Sequence, residues 1–92
     1  MNAQELVVRI DDMGCSHSAN VASIDTYRNG IAGSVEVMPV CAWFPEAVKM
    51  LRENPGLDVG VHLTLTSEWE NVKWRPLTHC PSLVDKDGNF YP

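Results

Sequence analysis

The 92-residue chain has an ordinary globular composition, with 45% apolar and 21% charged residues. A chain of this length supports one hydrophobic core, so we expect a single domain, or part of one, over residues 1–92. Twelve acidic residues against seven basic ones give a net charge of −5, and the scattered Lys and Arg argue against a nucleic-acid partner.

Membrane insertion and a disulfide framework are not expected either. The apolar runs are strand-length, far short of the roughly 20 residues that span a bilayer. The N-terminal segment lacks the basic and long apolar stretches of a secretory signal, so a cytoplasmic location is the default expectation. The three cysteines lack CxxC spacing, and we expect them to be reduced thiols.

Strand and helix patterns alternate along residues 1–66. Such alternation with short connections is typical of βαβ units, whose strands run parallel and whose crossovers are right-handed. The sequence therefore predicts an α/β fold. The predicted elements are strand Glu5–Ile10, helix Ser16–Asn29, strand Ser34–Val40, a helix within Trp43–Gly56, and strand Leu57–Leu65.

Residues 67–92 lose this periodicity. The segment holds two tryptophans and three prolines, and a loop of this length is usually functional or disordered. Asp87-Gly88 is a hairpin-turn signal. We therefore expect a long irregular loop with a hairpin, inserted after the βαβαβ unit.

Chemically versatile side chains fall near the predicted carboxyl ends of two strands. Asp11 and Asp12 follow the first strand and His62 lies near the end of the third. The carboxyl ends of parallel strands gather binding and catalytic groups, and a carboxylate with an imidazole is half of a divalent-metal site. Because successive strand side chains point opposite ways, the two aspartates can have different roles, one on a metal and one on its water.

Simpler interpretations stay open for each of these residues. An aspartate pair also serves as a turn or helix cap, and a lone histidine in a strand is commonly a packed residue. His17 fits an exposed position at a helix start, and His79 has no spacing partner. Trp69 and Trp74 are candidates for the rim of a sugar pocket, because an indole combines apolar area with a polar N–H, although core packing explains them equally well.

The motifs taken together resemble the YdjC-like carbohydrate deacetylases, which include the chitooligosaccharide deacetylases. Each motif is weak alone, but their order and spacing are specific, and the resemblance covers essentially the whole chain. The matching segments are the aspartate doublet with Gly14, Ser16 and Asn20, then "HLTLT" at 62–66, "RPL" at 75–77 and "SLVDKDGNF" at 82–90.

The resemblance implies a divalent-metal hydrolase on a (β/α) barrel-like fold that removes acetyl groups from N-acetylated amino sugars or oligosaccharides. It implies that Asp12 and His62 are metal ligands and that Asp11 is the general base. We expect one divalent ion, since an aspartate and a histidine suit Mg²⁺, Zn²⁺ or Mn²⁺ in differing degrees. A third histidine ligand of the family has no matching position here. A full barrel takes about 250 residues, so we expect the N-terminal portion of a longer enzyme, or a truncated chain completed by oligomerisation.

Two other classes of protein remain alternatives. A phospho-receiver module also ends its first strand in acidic residues that bind Mg²⁺, but it needs an acceptor aspartate at the end of the third strand, where this chain has His62. A sugar-binding or assembly fragment without catalytic activity is the second alternative.

Overall fold

The computed structural model describes residues 2–92 and contains a parallel sheet with helical crossovers. The strands lie in the order β1-β2-β3, and both neighbouring pairs are parallel. The predicted α/β class and βαβαβ order are thereby confirmed. The elements are β1 (Arg9–Met13), α1 (His17–Asn29), β2 (Ser34–Val37), α2 (Phe44–Arg52), β3 (Asp58–Val61) and a 3₁₀ turn, Pro81–Leu83.

Local signals explain where both helices begin. The hydroxyl of Ser16 accepts a hydrogen bond of 3.1 Å from the backbone N–H of Ala19, which caps α1. Pro45 lies in the first turn of α2, where a backbone N–H would have no partner within the helix, so its absence loses no hydrogen bond. The negative charge of Glu46, in the same turn, interacts favourably with the positive end of the helix dipole. The sequence therefore positions both helix starts at the edge where β1 and β2 end.

Strand β1 begins and ends later in the chain than predicted, and this shift changes where the two aspartates lie. Both aspartates lie inside β1, so the expectation that the strand ends before them is wrong. Ile10 pairs with Val35 and Met13 with Val37, which leaves Asp11 and Asp12 opposite a single residue of β2. This is a β-bulge, and Asp12 has a φ of +65° within it.

The third strand is shorter than predicted and ends at Val61. His62 follows directly, and its backbone N–H donates to the carbonyl of Val37 at 2.8 Å. His62 is therefore tied to the end of β2, one strand away from β1. This contact places its imidazole at the same edge of the sheet as the bulge.

The main core lies between the sheet and the two helices. Val35 and Val37 project from one face of β2 and are at most 5% exposed, as expected for alternate residues of a central strand. On β3 the same face is more open, with Val59 and Val61 46% and 60% exposed. The buried members of this cluster are Met13, Ile24, Val35, Val37, Ala47 and Leu57.

The irregular C-terminal segment folds back over the carboxyl edge of the sheet. Val84 and Phe90 form an antiparallel bridge around a turn in which Gly88 has a φ of +81°, so the hairpin-turn signal is confirmed. Phe90 is buried with Trp74 in a second cluster that includes Met38 and Cys41. In the part of the chain that the structure describes, we find no helix with the length and apolar character needed to cross a membrane.

Candidate active site

Asp12 and His62 meet at the carboxyl edge of the sheet. The Oδ1 atom of Asp12 lies 3.1 Å from Nδ1 of His62, with the side chains 59% and 35% exposed. The bulge in β1 and the end of β3 bring them together across β2. The fold thus brings together the two residues that the family resemblance implies as metal ligands.

The contact between these two side chains lacks the alignment of a hydrogen bond. Nδ1 of His62 is buried, yet it makes no hydrogen bond within the described residues, despite the nearby carboxylate. A buried polar atom without a partner is rare and costs free energy. Two ligands of one cation lie about 3 Å apart, because each metal–ligand bond is about 2.0–2.2 Å long. A divalent cation therefore fits this pair.

Asp12 occupies a backbone conformation that L-residues rarely adopt. A positive φ is uncommon outside glycine, although aspartate tolerates it better than most residues. Such conformations persist where surrounding contacts enforce them, and they concentrate at functional sites. The strain at Asp12 is consistent with a side chain that is aimed at a ligand.

Asp11 does not take part in the pair. Its carboxylate accepts a hydrogen bond of 2.9 Å from Nε of Arg9, and both side chains are about half exposed. The two residues are separated by two positions on a strand, so alternation brings them to one face. Arg9 was not among the candidates predicted from the sequence, although its spacing of two residues from Asp11 is a signal that could have identified it.

Trp69 and Trp74 lie beside Asp12 and contact each other edge to face, with ring centroids 5.4 Å apart. Both line a cavity of about 30 Å³ that Asp12 and Glu68 also line. This volume holds a water molecule or an ion but no sugar ring. Glu68 was not a candidate in the sequence analysis, because it lies in the aperiodic segment where spacing carries no signal.

The two tryptophans differ in how firmly they are held. Trp74 is 7% exposed and its indole N–H donates to the carbonyl of Thr66 at 2.6 Å. Trp69 is 43% exposed. Trp74 is therefore a fixed wall of the site, and Trp69 has a face available to a ligand.

A larger groove adjoins the small cavity. It has a volume of about 470 Å³ and shares two wall residues, Cys15 and Trp74, with the cavity next to Asp12. Volumes of about 300–1,000 Å³ are typical of small-molecule sites. Its other walls come from the β2–α2 loop and the C-terminal segment, including Trp43, Lys73 and Arg75.

The cysteines of this region are free thiols. Burial first, and then the neighbouring Cys15 and Asp12, raise the pKa of the Cys41 thiol to about 11. The thiolate is the nucleophilic and metal-binding form of cysteine. At neutral pH Cys41 is therefore protonated and acts as a packing residue.

A second carboxylate–imidazole pair joins the N-terminal ends of the two helices. Nδ1 of His17 lies 2.9 and 3.0 Å from the two carboxylate oxygens of Glu46. His17 also packs on Trp43 with ring centroids 5.5 Å apart. A hydrogen bond from Asn20 and the contact with His17 lower the pKa of Glu46 below its ordinary value. His17 is exposed at a helix start, as the sequence predicted.

The pair of Asp12 and His62 is not joined by a third ligand within residues 2–92. No cluster of three or more His, Cys, Asp or Glu side chains suited to a metal ion occurs there. His79 lines a separate surface groove beside Cys80 and Pro81. The described part of the chain thus supplies two candidate ligands.

A parallel sheet with a carboxylate and an imidazole at its carboxyl edge has the arrangement of α/β proteins that bind ligands there. Comparison with protein families gives a more specific result. The model of the YdjC-like protein family matches residues 5–92, and the chain belongs to this family.

Curated relatives and a crystal structure agree with this assignment. The chain is 39% identical over 85 residues to a chitooligosaccharide deacetylase of Yersinia enterocolitica, covering 92% of the chain and 31% of that protein. It is 37% identical over 86 residues to a carbohydrate deacetylase of Clostridium beijerinckii, covering 92% and 33%. A crystal structure of an Enterococcus faecalis protein, described as a candidate cellobiose-phosphate cleavage protein, superposes with a TM-score of 0.82 at 31% identity, covering 92% and 33%. The chain thus spans about a third of the length of these relatives.

Proposed function

We propose that this chain forms the cation-binding edge of a carbohydrate deacetylase, a hydrolase that removes acetyl groups from N-acetylated amino sugars or oligosaccharides. The names of the relatives support the reaction class. The observation that carries the proposal is the buried, unbonded Nδ1 of His62, 3.1 Å from the carboxylate of Asp12. A cation between them would satisfy both groups.

Asp12 and His62 would hold one divalent cation, Zn²⁺ or Mg²⁺. An imidazole nitrogen suits Zn²⁺ better than Mg²⁺, whereas a carboxylate suits both, so Zn²⁺ is the first ion to test. When bound, the cation supplies a Lewis acid that polarises the acetyl carbonyl and lowers the pKa of water. Further ligands would come from outside residues 2–92.

Asp11 would act as the general base. Its carboxylate is exposed and therefore accessible to water, and Arg9 restricts its position. Attack of water on the acetamide carbonyl requires a base to take the proton from the water, after which the C–N bond breaks and acetate and a free amine leave. The residue that protonates the amine would also lie outside this chain.

The sugar would lie in the larger groove and not in the small cavity. The 470 Å³ groove meets the small cavity at Cys15 and Trp74, so a ring bound there could extend its acetamide toward Asp12. Trp69 lines the small cavity and would offer an apolar face to the acetamide end of the sugar. Trp74 would contribute as a rigid wall.

The experiment that tests this proposal is a chimera. In the chimera, the 92 residues replace the matching 31% of the Yersinia enterocolitica deacetylase, and acetate release from N,N′-diacetylchitobiose is measured with added Zn²⁺ or Mg²⁺. We expect turnover by the chimera, and loss of turnover in its Asp12→Asn and His62→Ala variants. The isolated chain, assayed in parallel, shows whether residues 1–92 suffice.

Asp11→Asn separates the two proposed carboxylate roles. In the chimera this variant should keep cation affinity and lose turnover, because only the base is removed. A folded chimera that binds Zn²⁺ but releases no acetate, beside an active parent, would reject the deacetylase role in favour of a non-catalytic sugar-binding fragment. Loss of cation affinity in Asp11→Asn would reject the assignment of the base.

A further inference from the structure

Asn20 is a fully buried polar residue with a complete set of hydrogen bonds. It lies in the first turns of α1 and is 0% exposed. Its Oδ1 accepts a bond of 2.7 Å from the backbone N–H of Gly14. Its amide nitrogen donates at 3.0 Å to the carbonyl of Trp43 and at 3.0 Å to a carboxylate oxygen of Glu46. One side chain thus joins the turn after β1 to the start of α2.

The turn at Gly14, which Asn20 contacts, also makes backbone hydrogen bonds to residues 38 and 43. The carbonyl of Gly14 accepts from the N–H of Trp43 at 3.1 Å, and the carbonyl of Met13 accepts from Met38 at 2.8 Å. Gly14 has a φ of +102°, and a Cβ there would lie 3.1 Å from the carbonyl oxygen of Met38. This backbone therefore has little freedom to move.

Asp12 depends on this turn. The N–H of Cys15 donates to the carbonyl of Asp12 at 3.2 Å, which closes a tight turn over residues 12–15. A positive φ at a non-glycine residue costs of order 1 kcal/mol and persists only where neighbouring contacts impose it. Among the described residues, the bond from Gly14 to Asn20 is the one buried hydrogen bond between this turn and a side chain.

We propose that Asn20 is a positioning residue, which holds the Gly14 peptide and thereby keeps Asp12 in its left-handed conformation facing His62. Glu46 assists by orienting the amide group, because its carboxylate accepts from the nitrogen and leaves the oxygen toward Gly14. The lowered pKa of Glu46, caused first by Asn20, is consistent with this bond. The expected effect of Asn20 on cation binding rests on the proposed function. The expected effect of Asn20 on the conformation of Asp12 does not.

The test uses the full chain in solution and two readouts. The first is the strong intraresidue HN–Hα NOE that a positive φ produces at Asp12, which reports its conformation directly. The second is the affinity for Zn²⁺, measured from the NMR shifts of His62. In Asn20→Ala we expect the NOE to weaken and Zn²⁺ affinity to fall about tenfold in the folded protein, as for loss of an outer-shell partner.

Asn54→Ala is the matched control. Asn54 is also buried and bridges two segments, since it accepts from Nε of Arg28 at 2.8 Å and donates to the carbonyl of Met50 at 2.7 Å, at the other end of α2. The Asn54→Ala substitution should lower the free energy of unfolding and leave the Asp12 NOE and the Zn²⁺ affinity unchanged. Equal readouts in Asn20→Ala and Asn54→Ala would overturn the proposal, because Asn20 would then be a structural residue only.

A third variant covers the case in which Asn20→Ala does not fold. Replacing the Gly14 amide N–H with an ester oxygen removes the donor to Asn20 without changing any side chain, although it also weakens the Met13 carbonyl as an acceptor. Cys15 allows the chain to be ligated at that position. The ester should reproduce the loss of the Asp12 NOE; an unchanged NOE would overturn the proposal. If the unmodified chain binds no Zn²⁺, the proposal that Asp12 and His62 bind a cation fails. The Asp12 NOE still decides whether Asn20 positions Asp12.

Discussion

The protein contains two carboxylate–imidazole pairs that look alike in composition and differ in completeness. Nδ1 of His17 is hydrogen-bonded to Glu46, with both carboxylate oxygens engaged and Asn20 donating to one of them. In the pair of Asp12 and His62 the atoms are equally close, but Nδ1 of His62 has no hydrogen bond among the described residues. The first pair connects the N-terminal ends of α1 and α2. The second pair leaves Nδ1 of His62 without a hydrogen bond among the described residues, which is the observation behind the proposed cation site.

The backbone conformation at the two pairs also differs. His17 and Glu46 lie in ordinary helical turns, whereas Asp12 lies in a bulge with a positive φ. A structural pair can form on relaxed backbone, because either side chain can adjust to the other. A ligand pair must hold its direction before the ligand arrives, and strained backbone fixed by neighbours supplies this preorganisation.

Removing a ligand gives the largest expected difference between the pairs. Asp12→Asn or His62→Ala should lower Zn²⁺ affinity by more than about 100-fold, beyond the range expected for an outer-shell partner. His17→Ala removes the same side chain from the other pair and should leave the affinity within about twofold, since His17 hydrogen-bonds Glu46 and forms no bond to Asn20, Asp12 or His62. NMR titration of the three variants with Zn²⁺ provides the measurement. A similar loss in His17→Ala would erase the distinction between the pairs.

Gly14→Ala should affect the strained pair next most strongly. The added Cβ approaches the carbonyl oxygen of Met38 to 3.1 Å at a φ of +102°, so we expect the free energy of unfolding to fall by about 2 kcal/mol. The Zn²⁺ affinity should fall with it, because the turn carries Asp12. Urea denaturation and the Zn²⁺ titration measure the two effects.

Gly33→Ala is the control for this substitution. A Cβ at Gly33 meets nothing within 4 Å, so the unfolding free energy should change by less than about 1 kcal/mol. Comparable destabilisation by both alanines would mean that the turn at Gly14 is not strained.

Much of the fold and part of the site could be predicted from the sequence. Capping at Ser16 and Pro45 in the first turn marked the helices, because these signals act locally. The bulge could not be predicted, since it depends on register against β2, and it placed Asp12 inside the strand where the pattern had predicted its end. Proximity of Asp12 and His62 followed from topology, whereas the unbonded Nδ1 required atomic positions.

Asp12→Gly tests whether the strain serves binding and not stability. Glycine adopts a positive φ without steric cost but loses more backbone entropy on folding, so the variant should be more stable than the natural chain by at most about 1 kcal/mol, while its Zn²⁺ affinity is lost. Urea denaturation measures the gain. A loss of stability would show that the Asp12 side chain stabilises the fold, as Glu46 is expected to do.

The smallest expected effect is the pH dependence of the structural pair. The pKa of Glu46 is lowered from its ordinary 4.5, first by the hydrogen bond from Asn20 and then by His17. A carboxyl group whose pKa is lower in the folded state stabilises the fold above its unfolded pKa, and the contribution is lost as the pH falls through the folded value. Stability from this pair should therefore be present at pH 6 and decline below about pH 4.5.

Glu46→Gln should flatten this decline, because glutamine does not titrate and can still accept a hydrogen bond from Asn20 through its carbonyl oxygen. Urea denaturation of both proteins between pH 6 and pH 3 measures the difference in slope. Other carboxylates titrate in both proteins and cancel in the comparison, since the contribution of distant sites is additive. If the two slopes are identical, the pair of His17 and Glu46 contributes no pH-dependent stability, and the completeness of its hydrogen bonds would not distinguish it energetically from the pair of Asp12 and His62.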